Sequence, residues 1–204
     1  MLSDTNLNSF LMSPGLFMDI PEKVNYLKLE EADFLFQNEK VCSFTGYRPE
    51  KFDFCKESDS RCTDLKFRLC AEINRLILCG YTSFISGMAR GVDIWAAELV
   101  LHLARTSHKE IKLYAAVPFP EQSETWYEWE KERYDEILHL CKGVFVIEEQ
   151  YTQKSMNKRN EFLVKYADSL ISVFDGKPGG TSNTLTMAGK KKVNIINIVR
   201  KSQD

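Results

Sequence analysis

From Lys40 onward the apolar positions alternate between two rhythms. Short runs rich in β-branched or aromatic residues recur at Val41–Thr45, Ser83–Ser86, Ile111–Val117, Gly143–Ile147, Ser169–Phe174 and Val193–Val199. Runs of this length and make-up predict buried strands. Between the first two, Leu65, Leu69, Ile73 and Leu76, joined by Cys70 and Ile77, repeat at three- and four-residue spacing and predict a helix with one apolar face. The stretch Ile94–Ala104 is apolar nearly all round, as a helix wedged against a sheet would be. Residues 123–141 and 155–167 are amphipathic, and a short helix is expected over 182–191. Strands alternating with helices build βαβ units. The expected fold is therefore α/β: a Rossmann-like, mostly parallel sheet with helices on both faces and right-handed crossovers. Ligands in such folds bind beyond the carboxyl ends of the strands, near a switch in strand order. The residues just after each apolar run are thus the candidates for function.

Residues 1–39 break this rhythm. They mix Asn, Ser, Pro14, Gly15 and Pro21 with scattered aromatics and no sustained period, and read as an N-terminal extension ahead of a domain spanning 40–204. Phe10, Leu11, Leu16 and Phe17 offer contacts to the domain surface or to a partner, and the expectation is a loosely docked arm. The first residues include Asp4 and lack the basic stretch of a secretory signal. No run of 18 apolar residues occurs, so no membrane span is expected, and the expected location is cytoplasmic.

Composition narrows this further. The 204 residues, 44% of them hydrophobic and 13 of them Phe, suffice for a sizeable core. Lys and Arg number 27 against 29 Asp and Glu, a net charge of -2, whereas a dedicated nucleic-acid binder usually carries a basic excess. Six cysteines invite a disulfide or metal reading, but no C-x-x-C occurs and His102, His108 and His139 do not flank cysteine pairs. The cysteines are expected as reduced structural thiols, and no metal site is expected.

The strand ends carry the unusual residues. The first strand runs into Thr45, Gly46, Tyr47, Arg48 and Pro49, where Gly46 permits a close approach and Arg48 offers a fork suited to phosphate or carboxylate. The second runs into Ser86, Gly87, Met88, Ala89, Arg90, Gly91, Val92 and Asp93. Two glycines four apart between a strand and a helix start build a loop whose amides face an anion, with Ser86 and Arg90 as further donors. Asp93 is placed to cap the helix or to bind a ribose hydroxyl. The loop is neither G-x-G-x-x-G nor a Walker A sequence.

The third strand ends at Pro118, Phe119, Pro120, Glu121 and Gln122, with Gln122 a candidate for reading a base or ribose. Trp126, Trp129 and Arg133 follow on one helical face, where Arg133 either stacks on Trp129 or reaches the cleft. Before the fifth strand stand Met156, Asn157, Lys158, Arg159 and Asn160. After it come Asp175, Gly176, Lys177, Pro178, Gly179, Gly180, Thr181, Ser182, Asn183 and Thr184. Pro-Gly-Gly followed by hydroxyl and amide side chains at a helix start is a second phosphate-cradle pattern. Arg48, Arg90 and Arg159 are expected to gather positive charge at one cleft.

Together these motifs resemble the SLOG superfamily, the Rossmann-like group joining DprA/Smf and LOG (Lonely Guy) proteins, and most of all its small bacterial branch typified by YpsA. The resemblance spans roughly 40–199. It implies a site for a nucleotide-derived ligand of NAD, ADP-ribose or nucleoside monophosphate type, with no obligatory cofactor. Gly87, Gly91, Gly179, Gly180 and Thr181 would cradle phosphate, Arg48 and Arg159 would supply charged donors, and Gln122, Asp93 and Asn183 would contact sugar or base. The resemblance also implies output through self-association or a protein partner. LOG proteins cleave the N-glycosidic bond of nucleoside monophosphates using motifs like M-x-x-R-K and P-G-G-x-G-T-x-E-E. Here Asn160 stands in place of the Lys, and Thr184 is followed by Leu185, Thr186 and Met187 with no glutamates. A carboxylate is what would stabilise the oxocarbenium-like sugar or activate water, so hydrolysis ranks second. Single-stranded DNA binding of the DprA kind ranks third, because the basic run Lys190, Lys191 and Lys192 has no interleaved aromatics.

Overall fold

The apolar runs form the strands of one sheet. In this computed structural model, which describes residues 20–54 and 56–199, the chain forms β1 (Tyr26–Leu27), β2 (Val41–Gly46), β3 (Ser83–Ser86), β4 (Lys112–Val117), β5 (Gly143–Val146), β6 (Ser169–Val173) and β7 (Asn194–Asn197). The helices are α1 (Glu31–Phe36), α2 (Ser60–Leu78), α3 (Val92–Thr106), α4 (Glu128–Leu140), α5 (Ser155–Tyr166) and α6 (Gly180–Lys190). All strand pairs are parallel, in the order β1-β5-β4-β3-β2-β6-β7.

Alternation along each strand sorts the core into two layers. Cys42, Phe44, Phe84, Leu113, Ala115 and Val117 turn toward α2, α3 and α4, where Leu69, Ile73, Trp95, Leu99 and Ile137 meet them. Val41, Ile85, Tyr114, Ala116 and Phe145 turn the other way, toward Ala32 and Phe36 of α1 and Leu163 of α5. Val164, Leu170 and Ala188 continue that second layer under α6. Central strands buried on both faces are the reason these segments read as continuous apolar runs rather than alternating ones.

Residues 20–39 differ from the expected loose arm. Tyr26 and Leu27 pair with Val144 and Phe145 and add an edge strand, while Phe36 sits edge-on to Tyr114 at 5.0 Å. A two-residue strand and a six-residue helix are too short to generate a readable period. Phe10, Leu11, Leu16 and Phe17 lie outside the described residues.

Arg133 also differs. It makes no stack with Trp129 but ion-pairs with Glu98 and, at 2.7 Å, with Glu57, which Lys66 holds at 2.5 Å from the other side. Trp129 is exposed, and Trp126 packs edge-on against Tyr134 at 5.2 Å. Among the described residues Cys42, Cys62, Cys70 and Cys141 are buried free thiols and Cys79 is an exposed one. Burial pushes Cys62 and Cys70 up to about 11, far from thiolate chemistry. No helix among the described residues is long and apolar enough to cross a membrane.

The start of α3 packs against the end of β2 so closely that a Cβ at Gly46 would lie 2.5 Å from Val92 Cγ2. Gly46→Ala is therefore expected to destabilise the fold by about 1–3 kcal/mol through overpacking. Urea denaturation should show a lowered midpoint with an unchanged slope; an unaltered midpoint would refute the close approach.

Candidate functional site

Strand order reverses at β2. The chain moves outward from β2 through β3 and β4 to β5 on one side, then returns to place β6 and β7 on the other. The loops after β2 and β6 thus part around a crevice at the carboxyl edge of the sheet. Tyr47 and Arg48 leave β2 and enter a 3-10 turn at Pro49–Lys51. Residues 174–179 leave β6 and enter α6.

Two side-chain hydrogen bonds tie the two loops together. The Tyr47 hydroxyl donates to Asp175, which also pairs with Lys177 at 3.0 Å. Thr181 Oγ1 donates to the Gly46 carbonyl at 3.1 Å. Hydrogen bonds from Tyr47 and Lys177 hold the Asp175 carboxyl down at about 2, so it is ionised.

At the head of α6, Gly179 adopts φ +148°, a conformation closed to most side chains, and no side chain caps the helix. A Cβ at Gly180 would meet nothing within 4 Å. Asn183 is exposed and its backbone N–H already donates to Gly179 at 3.0 Å, while Thr184 Oγ1 donates to the Gly180 carbonyl at 2.9 Å. The first amides of the helix have no partner within it and carry its positive dipole end. Lys51 lies beside them, while Arg48 sits on the β2 loop with its Cα against Gly91. Lys51 Nζ sits 5.4 Å from the Tyr47 ring centroid and close to Gly179. Arg48 is exposed, and among the described residues no carboxylate pairs with either.

The other glycine loop, 86–93, is filled from within. Ser86 is fully buried; its hydroxyl accepts from Met88 N–H at 3.1 Å and donates to the Asp93 carbonyl at 2.9 Å. The Asp93 carboxylate accepts from Ala89 N–H at 3.4 Å and from Arg159 at 3.0 Å. Arg159 also donates to the Gly87 carbonyl, and its guanidinium occupies the space where a Gly87 Cβ would stand. Gln122 Nε2 donates to the Met88 carbonyl at 2.6 Å, bracing the loop from the side. Gly91 has φ +85° and lies against the Tyr47 carbonyl, 2.5 Å from where its Cβ would be. Arg90 pairs with Glu50 and, at 2.7 Å, with Glu130.

Several expected roles change accordingly. Ser86 and Arg90 are engaged internally rather than turned to an anion. Asp93 neither caps α3, whose N-cap is Gly91, nor is exposed to a ribose. Gln122 is buried against backbone, and Asn160 is buried on α5 next to Arg159. The positive charge of Arg90 and Arg159 is neutralised by carboxylates, leaving Arg48, with Lys51, at the crevice. Tyr47, Asp175 and Lys177, which stood in the strand-end motifs without an assigned role, join the site, as does Lys51, which the motifs did not include.

The family model for YpsA, described as the YspA SLOG family, matches residues 42–199. A UPF0398 protein of Halalkalibacterium halodurans is 31% identical over 156 residues, covering 75% of this chain and 82% of that one. A UPF0398 protein of Bacillus thuringiensis is 29% identical over 160 residues, covering 78% and 86%. Among solved structures, DNA processing protein A (DprA) from Streptococcus pneumoniae superposes with a TM-score of 0.57 at 16% identity, over 87% of this chain and 55% of that one; this chain thus spans about half the length of that protein. DprA from Helicobacter pylori, described for its single-stranded DNA binding mode, gives 0.57 at 15% identity, over 92% and 77%. At such identity these two establish the shared fold.

The Arg159–Asp93 pair makes a further prediction. Burial pushes the Asp93 carboxyl up and the Arg159 guanidinium down, and their mutual attraction opposes both shifts. Arg159→Met strips Asp93 of its counter-ion and should cost about 3–5 kcal/mol. The lone buried carboxyl then has a folded pKa above its unfolded value, so the folded state binds the extra proton between the two values. Stability must fall as pH rises through that window. Urea midpoints for Arg159→Met should be lower at pH 8 than at pH 5, with a smaller change for the parent chain. An equal pH response in both would refute the pairing.

Proposed function

This chain belongs to the YpsA family of SLOG proteins, and on that premise we propose that it binds a nucleotide-derived small molecule, of NAD, ADP-ribose or nucleoside monophosphate type, in the crevice between the β2 and β6 loops. The observation that carries the reading is the uncapped, glycine-opened start of α6 with Lys51 beside it and Arg48 exposed on the adjoining β2 loop, neither paired to a carboxylate. Oriented amides and charge-assisted donors around an open helix N-terminus are what an anionic group requires. The internally satisfied loop 86–93 would shape the floor of this site rather than hold the phosphate itself. The ligand's effect would pass to a protein partner or a second copy of the chain, and a cytoplasmic setting suits such a sensor.

Hydrolysis of the LOG kind needs a carboxylate directed at a sugar. Asp175 is a carboxylate at the crevice, and it is already engaged by Tyr47 and Lys177, which favours binding over turnover. A DNA channel would draw on the basic end of α6, but Lys191 there is tied to the Lys165 carbonyl at 2.7 Å.

Gly180→Asp places a carboxylate where the ligand's anion would lie, in open space and at a helix position that favours negative charge. It should leave stability unchanged or raise it by about 0.3–1 kcal/mol. Calorimetry with ADP-ribose, NAD and AMP should show binding weakened at least tenfold in Gly180→Asp and in Arg48→Ala, consistent with about 1.5–3 kcal/mol for a hydrogen bond to a charged group. Absence of binding by the parent chain, or parent-like affinity in both variants, would overturn the reading.

A further inference from the structure

Two large aromatic side chains stand outside the core at the start of α4. Trp129 is 55% exposed, and Tyr127, which precedes the helix, is 70% exposed. Exposed Trp and Tyr are enriched at the centres of protein interfaces, because each buries a large apolar area on contact. Carboxylates accompany them. Glu128, Glu132 and Asp135 recur at four- and three-residue spacing on the outer side of the helix, and Glu121 and Glu124 precede it, all exposed. Lys131 pairs with Glu128 at 3.5 Å and His139 lies 3.8 Å from Asp135, but among the described residues no cation pairs with Glu121, Glu124 or Glu132. Arg133 does not offset them, being turned inward to Glu57 and Glu98. The face thus joins apolar rings to unpaired negative charge, which suits a partner of the opposite sign.

The chain carries the complementary surface itself. Lys190, Lys191 and Lys192 are exposed between α6 and β7. Lys191 donates to the Lys165 carbonyl at 2.7 Å, whereas among the described residues Lys190 and Lys192 meet no carboxylate. Close behind them Ile195, on the edge strand β7, is 39% exposed. Lysines beside an isoleucine lack the stacking rings that a nucleic-acid strand uses, and match instead a surface that is apolar and acidic. The two patches lie apart in every direction. Trp129 is in the first turn of α4, past the carboxyl end of β4 and on the face that α4 shares with α2 and α3. The lysines lead into the amino end of β7, on the face covered by α6. From β5 to β7 is five strand steps, roughly 24 Å at about 4.8 Å each. One molecule cannot bring its own two patches together, but two molecules can.

We infer that a second copy of this chain docks its Lys190–Lys192 and Ile195 surface on the Tyr127 and Trp129 face of α4. Trp129 is the anchor, covered by Ile195 and by a lysine ammonium over its ring. The surrounding charges orient the incoming copy and set its register. Because the two patches differ and lie on opposite sides of the molecule, the contact is head-to-tail, and repeating it builds a chain or a ring of copies. A few residues on each side make a small contact of the transient class, so association is weak and salt-sensitive. The inference does not draw on the ligand reading of the crevice; it goes beyond that reading by assigning the surfaces through which copies meet.

The experiment is sedimentation velocity on the full chain without ligand, in reducing buffer so that the exposed Cys79 stays a thiol. The weight-average mass should rise with protein concentration past that of two copies at about 0.05 M salt, and fall toward one copy at about 0.5 M. Two variants separate the surfaces: Trp129→Ala with Glu132→Lys alters the acidic face, and Lys190→Glu with Lys192→Glu alters the basic end. All four side chains are exposed, so both variants should keep the parent's urea midpoint to within a small shift. Each variant alone should associate about tenfold more weakly or worse, matching the loss of an interface anchor or of its opposite charges. Mixed in equal amounts they should form a complex of two copies and no larger, because one keeps the basic end and the other keeps the acidic face. A parent chain that stays monomeric or stops at two copies, parent-like association by either variant, or a mixture no heavier than its components would overturn the inference.

Discussion

The ion pair between Arg159 and Asp93 is the constraint on which the carboxyl edge of this sheet depends. Arg159 rises from α5 on one face and meets Asp93 of α3, which packs on the other, closing over the end of β3. A parallel sheet sends all its carboxyl-end loops to one side, where backbone groups lack sheet partners and must be satisfied by something else. The pair supplies that: Gly87 C=O, Ala89 N–H and, through Ser86, Met88 N–H and the Asp93 carbonyl all find partners in one cluster. Burying two charges is expensive, and the gain is returned only where the remaining donors and acceptors are also met. The cluster meets most of them, Arg159 Nε being left without a partner.

Filling one glycine loop from inside leaves the other open, and this asymmetry shapes the site. Gly46, Gly87 and Gly91 exist because Val92, the Arg159 guanidinium and the Tyr47 carbonyl come too close for a Cβ. Gly180 has no such neighbour. Glycine thus serves two opposed ends at one edge of the sheet, letting protein approach itself in one loop and leaving open space in the other.

That distinction was not legible in the sequence, whereas the sheet was. Strands β2 to β6 announced themselves because burial on both faces makes a run apolar whatever its neighbours do. The exposed edge strand β7 showed only through the β-branched run Val193–Val199, and helices followed from a stripe or a continuous apolar face. The edge strand β1 escaped notice because two residues carry no period; its place in the sheet comes from pairing with β5. In the site, residue type and position relative to a strand end pointed to Arg48, Gly179 and Gly180, which lie on the loops after β2 and β6. Side-chain direction is another matter. Arg48, Arg90 and Arg159 look alike in sequence, yet Arg159 closes on Asp93, Arg90 on Glu50 and Glu130, and Arg48 stays exposed. Partners 40 and 66 residues away decide the difference, and spacing cannot reveal them.

The same partners bear on whether the crevice binds or also transforms its ligand. General acid–base chemistry wants a group that changes protonation near the working pH. Asp175, at the crevice, is fixed as a carboxylate by Tyr47, and Asp93 is locked to Arg159 beneath the loop. The histidines lie elsewhere: His108 bonds Asn74 at 2.9 Å just ahead of β4, at the amino end of the sheet, and His139 bonds the Asp135 carbonyl at 2.9 Å near the end of α4. His102 sits in the last turns of α3, away from the loop that begins it. Among the described residues, then, the groups that meet at the crevice are fixed donors and fixed charges. Such an array is suited to holding an anion in a set orientation, which is the binding role proposed for the crevice.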